Sequence, residues 1–367
     1  MSLLLRRASA FTFLLVLVLA TAGAGDGPVE SGDPLAAEVA RWSRFLKDTS
    51  STDDFWIQVR DSSQPILQRA EEALRDGRRL LALQRLAVAR ENLAAWSYLS
   101  GRPSDAGNEA AAFEAEWVRL GKSIRETRRP PSPRVLDGVT PAALRGLAEA
   151  SLFQVRVYYD ASLEYGRNTM PTFGLFYLGV AQGQRDFANL CRSWSAPSLR
   201  HKPSLRPLGG EIDALERDLL AVYRPPVSID RHKEFIQAHA ALKEARELDV
   251  AGLRYGALQR YLETARRTGP LRAPAPAAPD AGALATRLRD FDSRLSAGDT
   301  DHTIGRLFLE AAQADLAAPA PDAGPAVAAT IADDVLPRYF AALEPPRPEP
   351  PRPSPRVTVT MVRWPYT

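Results

Sequence analysis

From Pro34 to Leu343 the apolar positions of this chain recur at steps of three and four, and no run in that interval alternates apolar with polar. A step of three or four places side chains on one helix face, whereas a half-buried strand needs a step of two. The pattern predicts an all-α fold. Helices are expected over Pro34–Asp48, Asp53–Arg75, Arg78–Leu99, Asp105–Thr127, Thr140–Tyr165, Pro171–Trp194, Glu211–Tyr223, Asp230–Leu248, Leu253–Thr268, Ala283–Ser296, Asp301–Leu316 and Pro325–Leu343. The helix after Thr140 is the clearest: Thr140 is placed as its N-cap and Pro141 at its first position, with Leu144, Leu147, Ser151, Leu152, Val155, Tyr159 and Leu163 as its stripe.

Proline punctuates this pattern. The 30 prolines gather at 130–133, 270–279, 319–325 and 345–355, which are read as loops or linkers. The stretch 195–210 carries Pro197, Pro203 and Pro207 with Arg200, Lys202 and Arg206 and no acid. It is read as a solvated basic connector between an N-terminal helical half, 34–194, and a C-terminal half, 211–344. Residues 345–356 alternate proline with Arg347, Glu349 and Arg352, as an extended spacer does. Beyond them Val357, Val359 and Met361 alternate with Thr358, Thr360 and Val362, so 357–367 gives the chain's one strand signal, ended by Trp364-Pro365. A lone strand has unpaired backbone groups, so Val357, Val359, Met361, Trp364 and Tyr366 are the expected partner-binding residues, for another protein or for a second copy.

The first 24 residues change the setting. A basic pair, Arg6-Arg7, precedes an apolar run from Phe11 to Ala20 and the small residues Ala20 to Ala24, in the order of a secretory signal peptide. The run is too short to span a bilayer. Cleavage after Ala22 or Ala24, a flexible segment over 25–33, and export to the periplasm or beyond are expected, with no membrane span left afterwards. The formal charge of +3 falls to +1 without Arg6 and Arg7, a near balance that is poor evidence for nucleic-acid binding, which needs a clustered basic face. Only five of the 47 basic residues are lysine, a composition suggesting a GC-rich bacterial source. Cys191 is the sole cysteine, so the exported chain relies on packing rather than disulfides.

Two segments carry a spacing of small and large residues around a glycine. In the first, Ala70 precedes Gly77, and Ala82, Leu86 and Ala89 follow; in the second, Ala245 precedes Gly252, and Ala257 and Tyr261 follow, with Thr264 in place of a third small residue. This spacing resembles that of tetratricopeptide repeats, whose second helix shows small, large and small residues after a glycine turn. Leu175-x-x-Leu178-Gly179 followed by Asp186-Phe187 resembles a leading helix and turn, and Gly298 to Ala312 is a fainter match. The resemblance implies stacked antiparallel helical hairpins that hold another protein in a concave groove. Without a tandem array, an irregular helical bundle stays open as the alternative.

Motif-borne chemistry is missing. The sequence has no G-x-S-x-G, H-E-x-x-H, Gly-rich phosphate loop or C-x-x-C, so no catalytic residue, cofactor or metal is assigned. His232 and His239, near Glu234 and Glu244, lack metal-ligand spacing. The aromatic segment Phe153, Tyr158, Tyr159, Tyr165, Phe173, Phe176 and Tyr177 is read as packing between two helices. The function expected is an exported bacterial scaffold for protein–protein interaction in the envelope. The alternatives are a small-molecule or lipid carrier using those aromatics and a hydrolase with an acidic pair brought together by the fold.

Overall fold

A computed structural model describes residues 33–101, 109–125, 136–168, 170–195, 200–225, 229–271, 280–317 and 324–343. Within them the fold is all-α, and the one bridge recorded outside the helices pairs His201 with Thr300. The signal segment, the 345–356 linker and the strand expected at 357–367 lie outside the described residues. The helices are α1 (Pro34–Asp48), α2 (Asp54–Arg75), α3 (Arg79–Ser100), α4 (Glu109–Arg125), α5 (Ala142–Asn168), α6 (Pro171–Ser193), α7 (Gly209–Val222), α8 (His232–Val250), α9 (Arg254–Thr268), α10 (Ala281–Ser296), α11 (Thr303–Ala317), α12 (Pro325–Thr330) and α13 (Leu336–Leu343). A π-helical turn, Ile331–Val335, joins α12 to α13, where the sequence pattern predicted one continuous helix.

Local chemistry sets the helix ends. Asp33 accepts from the Leu35 N–H at 3.1 Å and Asp53 from the Phe55 N–H at 2.8 Å, each satisfying a donor that a helix start leaves open. The turns between α2 and α3 and between α8 and α9 are built alike. Gly77 and Gly252 take φ of +74° and +76°, a region other residues rarely enter. Arg78 N–H donates to the Ala73 carbonyl at 2.8 Å and Leu253 N–H to that of Leu248 at 2.9 Å, closing the helix end in a Schellman pattern. Ala82, Leu86 and Ala89 after the first turn, and Ala257 and Tyr261 after the second, are buried where the two helices of each pair meet. Gly298, also at positive φ, stands in the turn between α10 and α11.

The Asp186-Phe187 segment is not a turn. α6 runs unbroken through it, and Phe187 packs into the core. The signature falls within one long helix because Gly179 serves helix packing: a Cβ there would come within 2.9 Å of the Ala95 Cα on α3.

α5 and α6 form the central hairpin and share the most extensive contact in the molecule. α3 packs on α6 and α9 on α5, with α2 and α8 behind them, so the stacking order is α2, α3, α6, α5, α9, α8. α11 lies against both α3 and α5. The largest core cluster takes Leu46 from α1, Leu147 from α5, Leu258 from α9 and Leu336 from α13, so it draws on both sides of the expected connector. That connector is itself tied down: His201 exchanges backbone hydrogen bonds with Asp299 at 2.6 Å and Asp301 at 2.8 Å, and Leu208 N–H reaches the Asp249 carboxylate at 3.0 Å.

Candidate functional site

The floor of the site is α5, whose position is fixed by acids far away in sequence. α5 starts at Ala142, not at Thr140, and its open N–H groups are met by the turn into α11 and its first residue: Ala142 donates to Asp301 Oδ2 at 2.7 Å and Ala143 to Thr303 Oγ1 at 3.0 Å. Asp301, buried, supplies the cap assigned to Thr140 from sequence, because tertiary packing brings a carboxylate to the helix start. The Thr140 N–H donates instead to Ser195 Oγ. α9 is seated on α5 in the same manner. Glu149, fully buried on α5, accepts from the Gly256 N–H and from Arg145 Nε, both at 2.8 Å. Arg145 also lies 4.6 Å from the Tyr255 ring centre. At the other wall, Glu310 of α11 accepts from the Leu81 N–H near the start of α3 at 2.9 Å.

Above this floor, charged side chains from α3, α8, α9 and α11 meet polar side chains from α5 and α6 in one seam. Tyr158 of α5 donates to Glu91 of α3, which also accepts from Gln184 of α6 at 3.4 Å. Next to it Glu244 of α8 accepts from Arg260 of α9 at 3.0 Å and from Gln154 of α5 at 3.4 Å. Glu263 follows one turn along α9, bound by Arg266 at 2.9 and 3.1 Å and by Arg267 at 3.0 Å. Arg267 reaches Gln237 of α8. Asp315 of α11 closes the end, within electrostatic range of Arg266, Arg85 and Arg69.

The titration of these groups shows where they stand. Burial, aided by the charge of Glu91, pushes the Glu244 carboxyl up against the pull of Arg260. Burial likewise raises Asp315 and lowers Arg85. Burial would raise Glu263 too, but the charge and hydrogen bonds of Arg266, with the charges of Arg267 and Arg260, hold it down to about 2. Arg260 keeps 28% of its side chain exposed, yet desolvation is the largest single influence on its charge. Arg260 is thus enclosed by protein on most sides and open to water along part of its side chain. Arg85, Val88 and Glu91 follow one another at three-residue steps along α3, and Val88 is exposed.

Glu91 and Glu244, within electrostatic range of each other, are both held by hydrogen bonds to neighbouring side chains. The aromatic segment divides. Tyr159 is buried and stacked on Trp117, and Phe176 lies 4.9 Å from Phe55, whereas Tyr165 and Phe173 are exposed at the tip of the α5–α6 hairpin. Two depressions among the described residues have volumes of about 230 and 220 Å³. The first is lined by Phe153, Arg156, Val157, Asp160 and Glu247, and both mix polar with apolar walls rather than closing as apolar cavities.

His232 Nδ1 is bonded to the Tyr223 hydroxyl at 2.6 Å, and no group of three or more His, Cys, Asp or Glu among the described residues is arranged to hold a metal. Cys191 is buried, its thiol pushed up to about 12 by desolvation. Among the described residues no helix is long and apolar enough to cross a membrane. The expected partner residues Val357, Val359, Met361, Trp364 and Tyr366 lie outside the described residues.

Gly77 and Gly252 stand at the hairpin turns, while Ala82, Leu86, Ala89, Ala257 and Tyr261 are buried, with Tyr261 also accepting from Arg338 at 2.8 Å. The crevice residues carry no motif: in the sequence Glu244 and Tyr158 stand out for other reasons, and the i, i+3 and i, i+4 spacing of Glu263 with Arg266 and Arg267 is a local signal not used above. No protein-family model, curated protein or solved structure matches the chain.

Proposed function

We propose that the chain is an exported bacterial scaffold that holds a segment of another protein in the charged crevice over α5, with binding rather than catalysis as its task. One observation carries the reading: acids and bases from four helices, α3, α8, α9 and α11, meet polar side chains of α5 and α6 in one seam that is partly open to water at Arg260, with Val88 exposed between Arg85 and Glu91. An ion network in the interior is weak evidence for stability, since apolar side chains of the same volume do as well or better. Alternating charge in a cleft does suit a polypeptide of mixed charge, for which it supplies register and rejects wrong partners. The paired glycine turns at Gly77 and Gly252 support a tetratricopeptide-like origin for the walls, and the three-part segment before Ala24 supports export.

The test replaces two bases on the lips of the crevice. Arg85→Ala with Arg267→Ala removes positive charge on α3 and α9 without touching either hairpin turn. In pull-downs from envelope extract, recovery of the partner is expected to fall by about tenfold while the helical circular dichroism is unchanged. A double variant that folds and keeps every partner of the parent would refute the assignment.

A further inference from the structure

Three large apolar side chains, Tyr165, Met170 and Phe173, stand 41–44% exposed together at the tip of the α5–α6 hairpin. They are continuous with a ring ladder: Tyr165 stacks on Tyr177 at 4.9 Å, and Phe55 lies 6.1 Å from Phe173 and 4.9 Å from Phe176. An apolar stripe leads to this ledge along α5 through Phe153, Val157, Ala161 and Tyr165, each one turn beyond the last. Beside it, the depression lined by Phe153 and Val157 carries an exposed ion pair, Arg156 with Asp160. Contiguous exposed apolar surface of this kind marks a contact site.

The chain provides its own occupant. α13 ends at Leu343, which lines the depression shared with Lys202, Thr300 and His302; Asp301, between the last two, caps the first turn of α5. The C-terminal arm thus departs beside the start of α5, while the ledge stands at its far end. α5 has 27 residues, which at 1.5 Å per residue is about 40 Å. The Pro-rich residues 344–356, thirteen in all, span about 40 Å at the polyproline rise of ~3.1 Å. On the same scale Glu349 falls about 19 Å along and Arg352 about 28 Å, against about 21 Å for Arg156 and about 27 Å for Asp160, opposite charges within side-chain reach in each case. Val357, Val359, Met361, Trp364 and Tyr366 then arrive at the aromatic ledge.

We infer that the C-terminal arm runs along α5 of its own chain and seats Val357–Tyr366 on the ledge of Tyr165, Met170 and Phe173. The inference is separate from the crevice reading, because it concerns the far end of α5 and its test measures no partner. In the full chain, Phe173→Cys with Tyr366→Cys is expected to form an intrachain disulfide in the monomer under mild oxidation. It should do so many times faster than the control pair Val250→Cys with Tyr366→Cys. Val250, at the α8–α9 turn, is 85% exposed but lies toward the start of α5. Without any cysteine substitution, truncation after Pro355 is expected to speed peroxide oxidation of Met170 several-fold, as read by peptide mass spectrometry. A disulfide found only in dimers would assign the ledge to a second copy's arm and overturn the intrachain seat. Equal rates for the two cysteine pairs, or equal oxidation of Met170 in the two chains, would overturn it as well.

Discussion

Glu149→Ala is expected to lower the unfolding free energy by about 3–5 kcal/mol, since it removes one partner of a buried charge pair and leaves the other behind. Arg145 is 8% exposed and loses its 2.8 Å carboxylate, and the Gly256 N–H at the start of α9 loses its acceptor. The close seating of α9 on α5 sharpens the effect. A Cβ at Gly146 would lie 3.0 Å from the Tyr255 carbonyl oxygen, so the two backbones are too near for another side chain to fill in for the acid. Asp137→Ala is the control. Asp137 meets the same Arg145 at 3.3 Å but is exposed, and its loss is expected to cost under about 1 kcal/mol. Urea unfolding of the two variants gives the comparison, and similar midpoints would show that the α5–α9 junction does not depend on Glu149.

The second large effect depends on pH. Glu263 is 6% exposed, and its carboxyl is held down from an ordinary 4.5 to about 2. A depressed carboxylate stabilises the folded chain above its unfolded value, and that stabilisation is lost as pH falls from about 4.5 through about 2. The shift corresponds to about 3 kcal/mol at neutral pH. Glu263→Gln is therefore expected to be about that much less stable than the parent at neutral pH and to approach it near pH 2. Glu244 and Asp315, pushed up by burial, act in the opposite sense in both chains and largely drop out of the difference. Unfolding free energies measured across this range would contradict the network if the two curves ran parallel.

Much of the fold was legible because helix period and chain punctuation are local. The bounds of α1 agree with the sequence pattern at both ends, and Gly77 and Gly252 were found as turns because a left-handed helix end demands glycine. The parts that were not legible are those that packing decides. Nothing near Thr140 shows that Asp301, 159 residues away from Ala142, takes over the cap, and nothing in 171–193 shows that Gly179 serves contact with α3 rather than a turn. The π-helical turn at Ile331–Val335 keeps the apolar stripe of a continuous helix, so periodicity passes over it. The crevice was hidden for a similar reason. Glu91, Glu244 and Arg260 read singly as solvated helix residues, and only the stacking of α3, α5 and α9 turns them inward on one another.

The central claim is that a partner polypeptide lies in the crevice, and site-specific photo-crosslinking in the intact cell envelope tests it most directly. A photoreactive phenylalanine analogue is placed at Val88, 51% exposed between Arg85 and Glu91, and in a second strain at Leu220, 54% exposed on α7 away from the crevice. The account predicts a discrete heavier product from the Val88 position alone, lost when Arg85 and Arg267 are also replaced by alanine. No product at Val88, or the same product at Leu220, would contradict it.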